Sequence, residues 1–313
     1  MKGLELSEKF YLEHGAPMIH SDFPEIESMI AVGLCGSGSE CFGFDDEIST
    51  DHDFEPGFCL FIPDEDVIDR RTAFLLEKAY NALPKEYLGF KRNNINPVGG
   101  KRMGVIRIGD FFESKTGSKN GILSTNEWFS IPEYSLAEAV NGKIFRDELG
   151  MFTEIRNHLS IMPENVSLKK LAGTLLIMGQ SGQYNYSRCL SHGETAAAQL
   201  TLYEFVKSAL NCIFLLNKIY MPYYKWSFRA LKELPLLSSL SQPLEYLISS
   251  GNGEAEIKNK MEIIEKICSD IIAELKSRNL TDFSGSSAEG HAYSVNNKIT
   301  DSEIRNLHIL YAV

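Results

Sequence analysis

Two regimes of hydrophobic patterning divide the chain. In the first third, short apolar runs end in glycine or proline. Ile30-Ala-Val-Gly-Leu34, Gly57-Phe-Cys-Leu-Phe-Ile62 and Gly104-Val-Ile-Arg-Ile108 are continuous enough to be buried strands. Between them the spacing predicts helices over Leu4–Glu13, marked by Leu4, Phe10 and Tyr11, and over Asp64–Leu83. Asp64 or Asp66 can cap the second helix, and Pro84 stops it. Asn93–Lys101 reads as a loop from its Asn, Pro and Gly content. Strand, glycine turn, strand, helix and strand suggest a small α/β domain ending near residue 125.

From Ser135 onward, glycines thin out and helical periodicity takes over. Leu168, Leu171, Ala172, Leu175 and Met178 form one stripe, and Leu200, Tyr203, Val206, Leu210, Ile213 and Phe214 a second. Ile257–Leu275 gives a third through Ile264, Ile267, Ile271 and Leu275. Leu280–Asn297, rich in Ser, Gly and Asn, reads as a loop before a short C-terminal segment. The expected fold is α+β: a mixed-sheet domain over residues 1–125 and a helical bundle over 126–313.

Charge and cysteine usage narrow the function. Lys plus Arg number 31 against 42 Asp plus Glu, a net charge of −11. That balance disfavours nucleic acid as a partner, because backbone binding needs a basic face. It leaves room for a small anion held by a few local cations. Lys85, Lys91, Arg92, Lys101 and Arg102 could form a local basic patch. The charged stretch Met1–Tyr11 has no apolar h-region, and no run approaches membrane-spanning length, so neither leader nor membrane association is expected. Cys35, Cys41, Cys59, Cys189, Cys212 and Cys268 show no C-x-x-C or zinc spacing. They read as reduced thiols of a cytoplasmic protein.

The stretch Gly33–Phe61 carries the chemistry: GLCGSGSECFGFDDEISTDHDFEPGFCLF. Asp51 and Asp53, two apart on extended chain, point the same way, and their repulsion calls for a cation between them. Mg²⁺ suits such oxygen ligands together with substrate phosphates. Gly36-Ser37-Gly38-Ser39 allows backbone N–H groups close to phosphate oxygens. Taken singly, the glycines are also ordinary turn residues and Asp-x-Asp an ordinary solvated turn. Asp45, Asp46 and Glu47 read mainly as loop acids, and His52, pointing opposite to the pair, as a packed residue.

This segment resembles the nucleotidyltransferase superfamily typified by DNA polymerase beta and the aminoglycoside nucleotidyltransferases. Gly38-Ser39 matches its Gly-Ser turn, Gly43 follows five residues after Gly38, and Asp51 and Asp53 match its metal pair. The gap from Gly43 to Asp51 is one residue longer than in the commonest drug-modifying members. GSECFGFDDEIS, DHDFEPGFCLF, VIRIGDFF, GQYNYSR and FLLNKIYMPYYKW resemble a poorly characterised bacterial family, domain of unknown function 4037, from about Gly3 to about Pro235.

The resemblance implies ATP or another nucleoside triphosphate over Gly38 and Ser39, with Mg²⁺ on Asp51 and Asp53. A third carboxylate normally comes from a later strand. Here that strand carries Arg107, and the nearest acid is Asp110. Either Asp110 serves, or Glu194 from the helical half does, or turnover is weakened or lost. Each acid is also a reasonable turn or cap residue. In the helical half, Gln180, Tyr184 and Arg188 share a helix side, with Gln183 and Ser187 beside them, and Lys225 and Arg229 flank Trp226. Arg188 and Lys225 could offset triphosphate charge, or simply belong to a solvated face. The leading expectation is transfer of a nucleoside monophosphate to an unknown hydroxyl acceptor, a small molecule being favoured. The alternatives are a nucleotide sensor without turnover and a purely structural protein.

Overall fold

The computed structural model describes residues 1–48, 55–92 and 102–313. They form two compact units: Met1–Leu123 with Tyr134–Ile161, and Ser124–Glu133 with Met162–Val313. The first carries a small mixed sheet and the second is helical, the α+β class expected. The expected boundary at 125/126 marks only the first departure from the sheet unit. The chain comes back at Tyr134 because the sheet needs another strand.

The first unit opens with α1 (Gly3–Phe10) and a π-helical turn, Tyr11–Gly15, that continues into α2 (Ala16–Asp22). Pro17 lacks the N–H that an unbroken α-ladder would require there. β1 (Ala31–Leu34), β2 (Cys59–Ile62) and α3 (Arg70–Ala82) follow. Helix α3 starts later than expected. Residues 64–69 form a turn, and Asp69, not Asp64 or Asp66, caps the helix by accepting from the Thr72 N–H at 2.7 Å. A two-strand ribbon, β3 (Glu86–Tyr87) with β4 (Phe90–Lys91), precedes β5 (Gly104–Arg107). β5 passes at once into α4 (Ile108–Thr116), a helix that periodicity alone did not separate from the strand.

After a passage through the second unit bearing α5 (Thr125–Ser130), the chain adds α6 (Glu133–Val140), β6 (Lys143–Arg146) and α7 (Met151–Leu159). The strand β6 was not anticipated in a stretch that reads as helical. The sheet order is β5-β2-β1-β6, with β1 antiparallel to both neighbours and β2 parallel to β5. Strand alternation sends Val32, Leu60 and Ile62 to one face, among Leu6, Phe10, Ile19, Leu76 and Tyr80. Phe61 goes to the other, where its ring meets Phe111 at 5.2 Å and Phe152 at 4.3 Å between centroids. Burial on both faces is why these strands read as unbroken apolar runs.

The second unit is organised on α8 (Glu164–Met178), whose expected stripe is buried throughout. The helix continues through a π-helical stretch, Gly179–Asn185, into α9 (Tyr186–Ser191). α10 (Thr195–Asn217) buries Leu202, Phe205, Ala209 and Cys212 beside Val206, Leu210, Ile213 and Phe214. Leu200 and Tyr203, expected in that stripe, are exposed. α11 (Tyr224–Leu231), α12 (Ser241–Ser249) and α13 (Glu254–Ser277) follow, with Ile264, Ile267, Ile271 and Leu275 inside as expected. The expected loop at 280–297 contains α14 (Ala288–Asn297), packed on α8 and capped by Ser287, and α15 (Ser302–Asn306) comes last. No helix among the described residues is long and apolar enough to cross a membrane.

Two features yield tests. Gly142, at φ +70°, stands where a Cβ would lie 2.0 Å from the Leu34 carbonyl oxygen. Gly150 shares that φ but faces open space. Gly150→Ala should cost about 1–2 kcal/mol from backbone strain alone. Gly142→Ala should cost about 3 kcal/mol or more, because overpacking is added. Urea unfolding of the two variants compares them directly, and equal losses would refute the close-approach argument.

The second test concerns His291, which is fully buried. Its Nδ1 lies 2.8 Å from Thr281 Oγ1 and its Nε2 2.9 Å from the Gly285 carbonyl. A carbonyl only accepts, so Nε2 carries a proton. Burial lowers its pKa from the ordinary 6.5. The unfolded chain therefore binds this proton more readily. The ring's contribution is complete above pH about 6.5 and is lost as pH falls through and below that value. Thermal melts at pH 7.5 and 5.5 should show a smaller acid-side drop for His291→Gln than for the wild type.

Candidate functional site

The glycine turn lies at one end of the sheet. Gly33 pairs with Cys59, and Cys59 with Gly104, so the C-terminal end of β1 adjoins the N-terminal ends of β2 and β5. Cys35–Ser39 leaves the ladder there, Gly36 at φ +99° and Gly38 at φ +126°, before a short 3₁₀ turn over Glu40–Phe42. These φ values favour glycine strongly. Asn141 replaces the lost ladder at Gly36. Its carboxamide accepts from the Gly36 N–H and donates to the Gly36 carbonyl, both at 2.8 Å. Among the described residues, the amides of Ser37, Gly38 and Ser39 have no acceptor.

Two cations meet this turn. Arg102 donates to the Ser37 carbonyl at 2.5 Å and pairs with the buried carboxylate of Glu40. A Cβ on Gly38 would strike that guanidinium at 1.9 Å, so glycine there makes room for the Arg102–Glu40 pair. Lys115 Nζ lies 3.1 Å from Ser37 Oγ and 2.5 Å from Glu138 Oε2. Ser37 Oγ donates to the same Glu138 oxygen at 2.8 Å. The Cys35 thiol is pushed up to about 12 by burial, and burial also raises Cys41, with Glu40 adding to it. Neither thiol is a nucleophile at neutral pH.

Asp51, His52 and Asp53 lie outside the described residues. The chain that follows them, residues 55–58, enters β2 at the glycine-turn end of the sheet. Gly38 and Ser39 are therefore placed as expected relative to β1. Asp110 is not brought to them. It follows the opposite end of β5, where Ile62 pairs with Arg107, and about 10 Å of strand separates the two ends. Its half-exposed carboxylate sits 3.3 Å from Lys119 Nζ. The physical reason is that α4 starts directly after β5 and runs back along the sheet, so its last turn, not its first, reaches Ser37.

The expected basic patch is also corrected. Arg102 is committed to Glu40, and Arg92 stacks 4.6 Å from the Tyr80 ring and donates to the Tyr80 and Leu83 carbonyls. Lys101 lies outside the described residues. Asp45 acts as a structural acid, accepting from the Gly3 N–H at 2.8 Å at the start of α1.

Glu194, Arg188 and Lys225 belong to the second unit. Glu194 precedes α10 without a side-chain cap bond, and its N–H donates to the Cys189 carbonyl at 2.9 Å. Arg188 donates to Tyr184 Oη at 3.2 Å, and Lys225 Nζ sits 4.4 Å over the Trp226 ring. Gln183 is internal glue: it donates to Glu265 and to the Ser286 carbonyl and accepts from the Ala288 N–H. Among the described residues, no group of three or more His, Cys, Asp or Glu side chains could hold a metal.

Lys115, Glu138 and Asn141 escaped the reading of the sequence. One signal for Lys115 was present: it follows Phe111 by four residues and so shares its helix side. A Cβ on Gly36 would meet both, at 3.4 Å and 3.9 Å. Glu138 and Asn141, over 100 residues from the turn, gave none.

Comparison with known proteins gives one similarity. The model of a family described as Domain of unknown function (DUF4037) matches residues 128–227. GQYNYSR and FLLNKIYMPYYKW fall inside the match, whereas the glycine turn, Asp51, Asp53 and VIRIGDFF precede it. No curated protein and no solved structure matches. The similarity established is therefore to a family of unknown function, over its own matched span.

Proposed function

We propose that the chain is a Mg²⁺-dependent nucleotidyltransferase that moves a nucleoside monophosphate from ATP, or another nucleoside triphosphate, to a hydroxyl of a small-molecule acceptor. The observation that carries this reading is the turn itself. Three consecutive amides without acceptors among the described residues, two cations and the entry to β2 just after Asp51 and Asp53 share one end of the sheet. Backbone N–H groups and fixed cations of this kind suit phosphate oxygens.

The two carboxylates of Asp51 and Asp53 are hard oxygen donors of the kind Mg²⁺ takes. Asp51 and Asp53 would hold the ion, which would supply charge stabilisation to a phosphoryl-transfer reaction. Gly38 and Ser39 would orient the phosphates through their amides. Among the described residues no free carboxylate stands at the turn, since Glu40 and Glu138 are paired and Asp110 follows the other end of β5. Six free thiols accord with a cytoplasmic setting.

A second reading, a nucleotide sensor without turnover, is favoured by one observation. The carboxylates that bond to the turn or its cations, among the described residues, are Glu40 and Glu138, and both are already paired. Transfer of label from ATP to bacterial extract separates the two.

Asp51→Asn and Asp53→Asn test the metal pair common to both readings. At a hundredfold excess of MgATP over Kd, the wild type should gain about 2.7 kcal/mol of stability, seen as a raised melting temperature. Each variant should lose that gain and all transfer. Without ligand, neither should melt below the wild type, since one like charge has been removed. Variants that still respond to MgATP as the parent does would sink both readings.

A further inference from the structure

We infer that Glu138 is an internal stand-in for phosphate: Lys115 and Ser37 form an anion site beside the glycine turn, and the Glu138 carboxylate occupies it until a polyphosphate displaces it. This rests on the proposed reading that phosphate is what the turn receives, and it adds a device that sets when it does so.

The geometry is that of an occupied anion site. One oxygen, Glu138 Oε2, accepts from Ser37 Oγ at 2.8 Å and from Lys115 Nζ at 2.5 Å. An ammonium and a hydroxyl converging on one oxygen is how a phosphate oxygen is commonly held. The adjoining amides of Ser37, Gly38 and Ser39 have no acceptor among the described residues, and a carboxylate with two oxygens cannot serve them all. A phosphate group has the further oxygens to do so.

The elements permit the exchange. Lys115 stands in the last turn of α4, with its stem near Gly36, so it can keep its place when its partner leaves. Glu138 lies on α6, and its side chain is 17% exposed, so rotation toward solvent is open to it. Asn141, one turn on, holds the Gly36 backbone independently of Glu138. The turn therefore keeps its shape when the carboxylate leaves. The exchange forms and breaks no covalent bond.

The test uses inorganic tripolyphosphate in EDTA, read by calorimetry on the full chain. Glu138→Gln keeps the side chain's shape and removes its charge, so it should bind about tenfold tighter than the wild type. Lys115→Met should bind about tenfold more weakly than the wild type. The double variant should lose the gain of Glu138→Gln, because the gained contact is to Lys115. Unchanged or weaker binding by Glu138→Gln, or a gain that persists without Lys115, would overturn the inference.

If the variants unfold, amide NMR of the wild type decides. Titration should shift the Ser37, Gly38 and Ser39 resonances, and silent amides would refute the site. Asp51→Asn separates this from the metal reading. It should abolish the MgATP response and leave metal-free tripolyphosphate binding, with its dependence on Glu138, intact. A MgATP response that persists in Asp51→Asn would sink the metal pair and spare the stand-in, and failure of the tripolyphosphate series would do the reverse.

Discussion

The two hydrogen bonds between Asn141 and Gly36 hold the arrangement on which the site depends. When the chain leaves β1 it keeps a buried backbone N–H and C=O at Gly36 that no strand can satisfy. A carboxamide is the side chain that offers donor and acceptor side by side. An aspartate would satisfy only the N–H. With Gly36 fixed, the direction of Ser37 is set, and with it the meeting of Lys115 and Glu138. The Arg102–Glu40 pair then closes the far side over Gly38.

This constraint also explains the division of the chain. Asn141 and β6 reach the turn only after the chain has contributed ten residues to the helical unit. No local signal at residue 125 announces a return. The pairing of β1 with β6 is decided by close backbone approach at Gly33 and Gly142, where a Cβ would meet backbone atoms at 2.5 Å and 2.0 Å. Glycines in that setting look like turn residues in a sequence, although here they mark strand contact.

The strands β1 and β2 were legible because both of their faces are covered, which leaves continuous apolar runs, whereas β5, a half-buried edge strand, was legible from its short apolar run after Gly104. α3 was legible except at its start, where Asp64, Asp66 and Asp69 are all competent caps by type. α4 was hidden because Ile108 serves the strand's apolar run and also begins the helix. α14 was hidden because its polar composition suits a loop, whereas burial of Ala288, His291, Ala292 and Val295 decides the outcome. Of the site, Gly38 and Ser39 were legible from local pattern. Asp110 follows the end of β5 away from the glycine turn, and nearness in sequence to a strand does not say which end of the sheet is reached. Lys115 and Glu138 depend on contacts 78 and 101 residues apart from Ser37.

On the proposed reading, an acidic chain receives an anion, and its own carboxylates must then be managed. Here the shielding is local, each cation at the turn being neutralised by one acid: Lys115 by Glu138 and Arg102 by Glu40. A singly charged anion that replaced either carboxylate would gain nothing, since it would trade one charge-assisted bond for another and lose entropy on binding. A polyphosphate differs, because it brings several charges and enough acceptors to reach the amides as well. On the proposed reading, neutralisation by internal acids favours phosphate groups and above all polyphosphates over chloride or acetate. It achieves this without the basic surface that would draw nucleic acid.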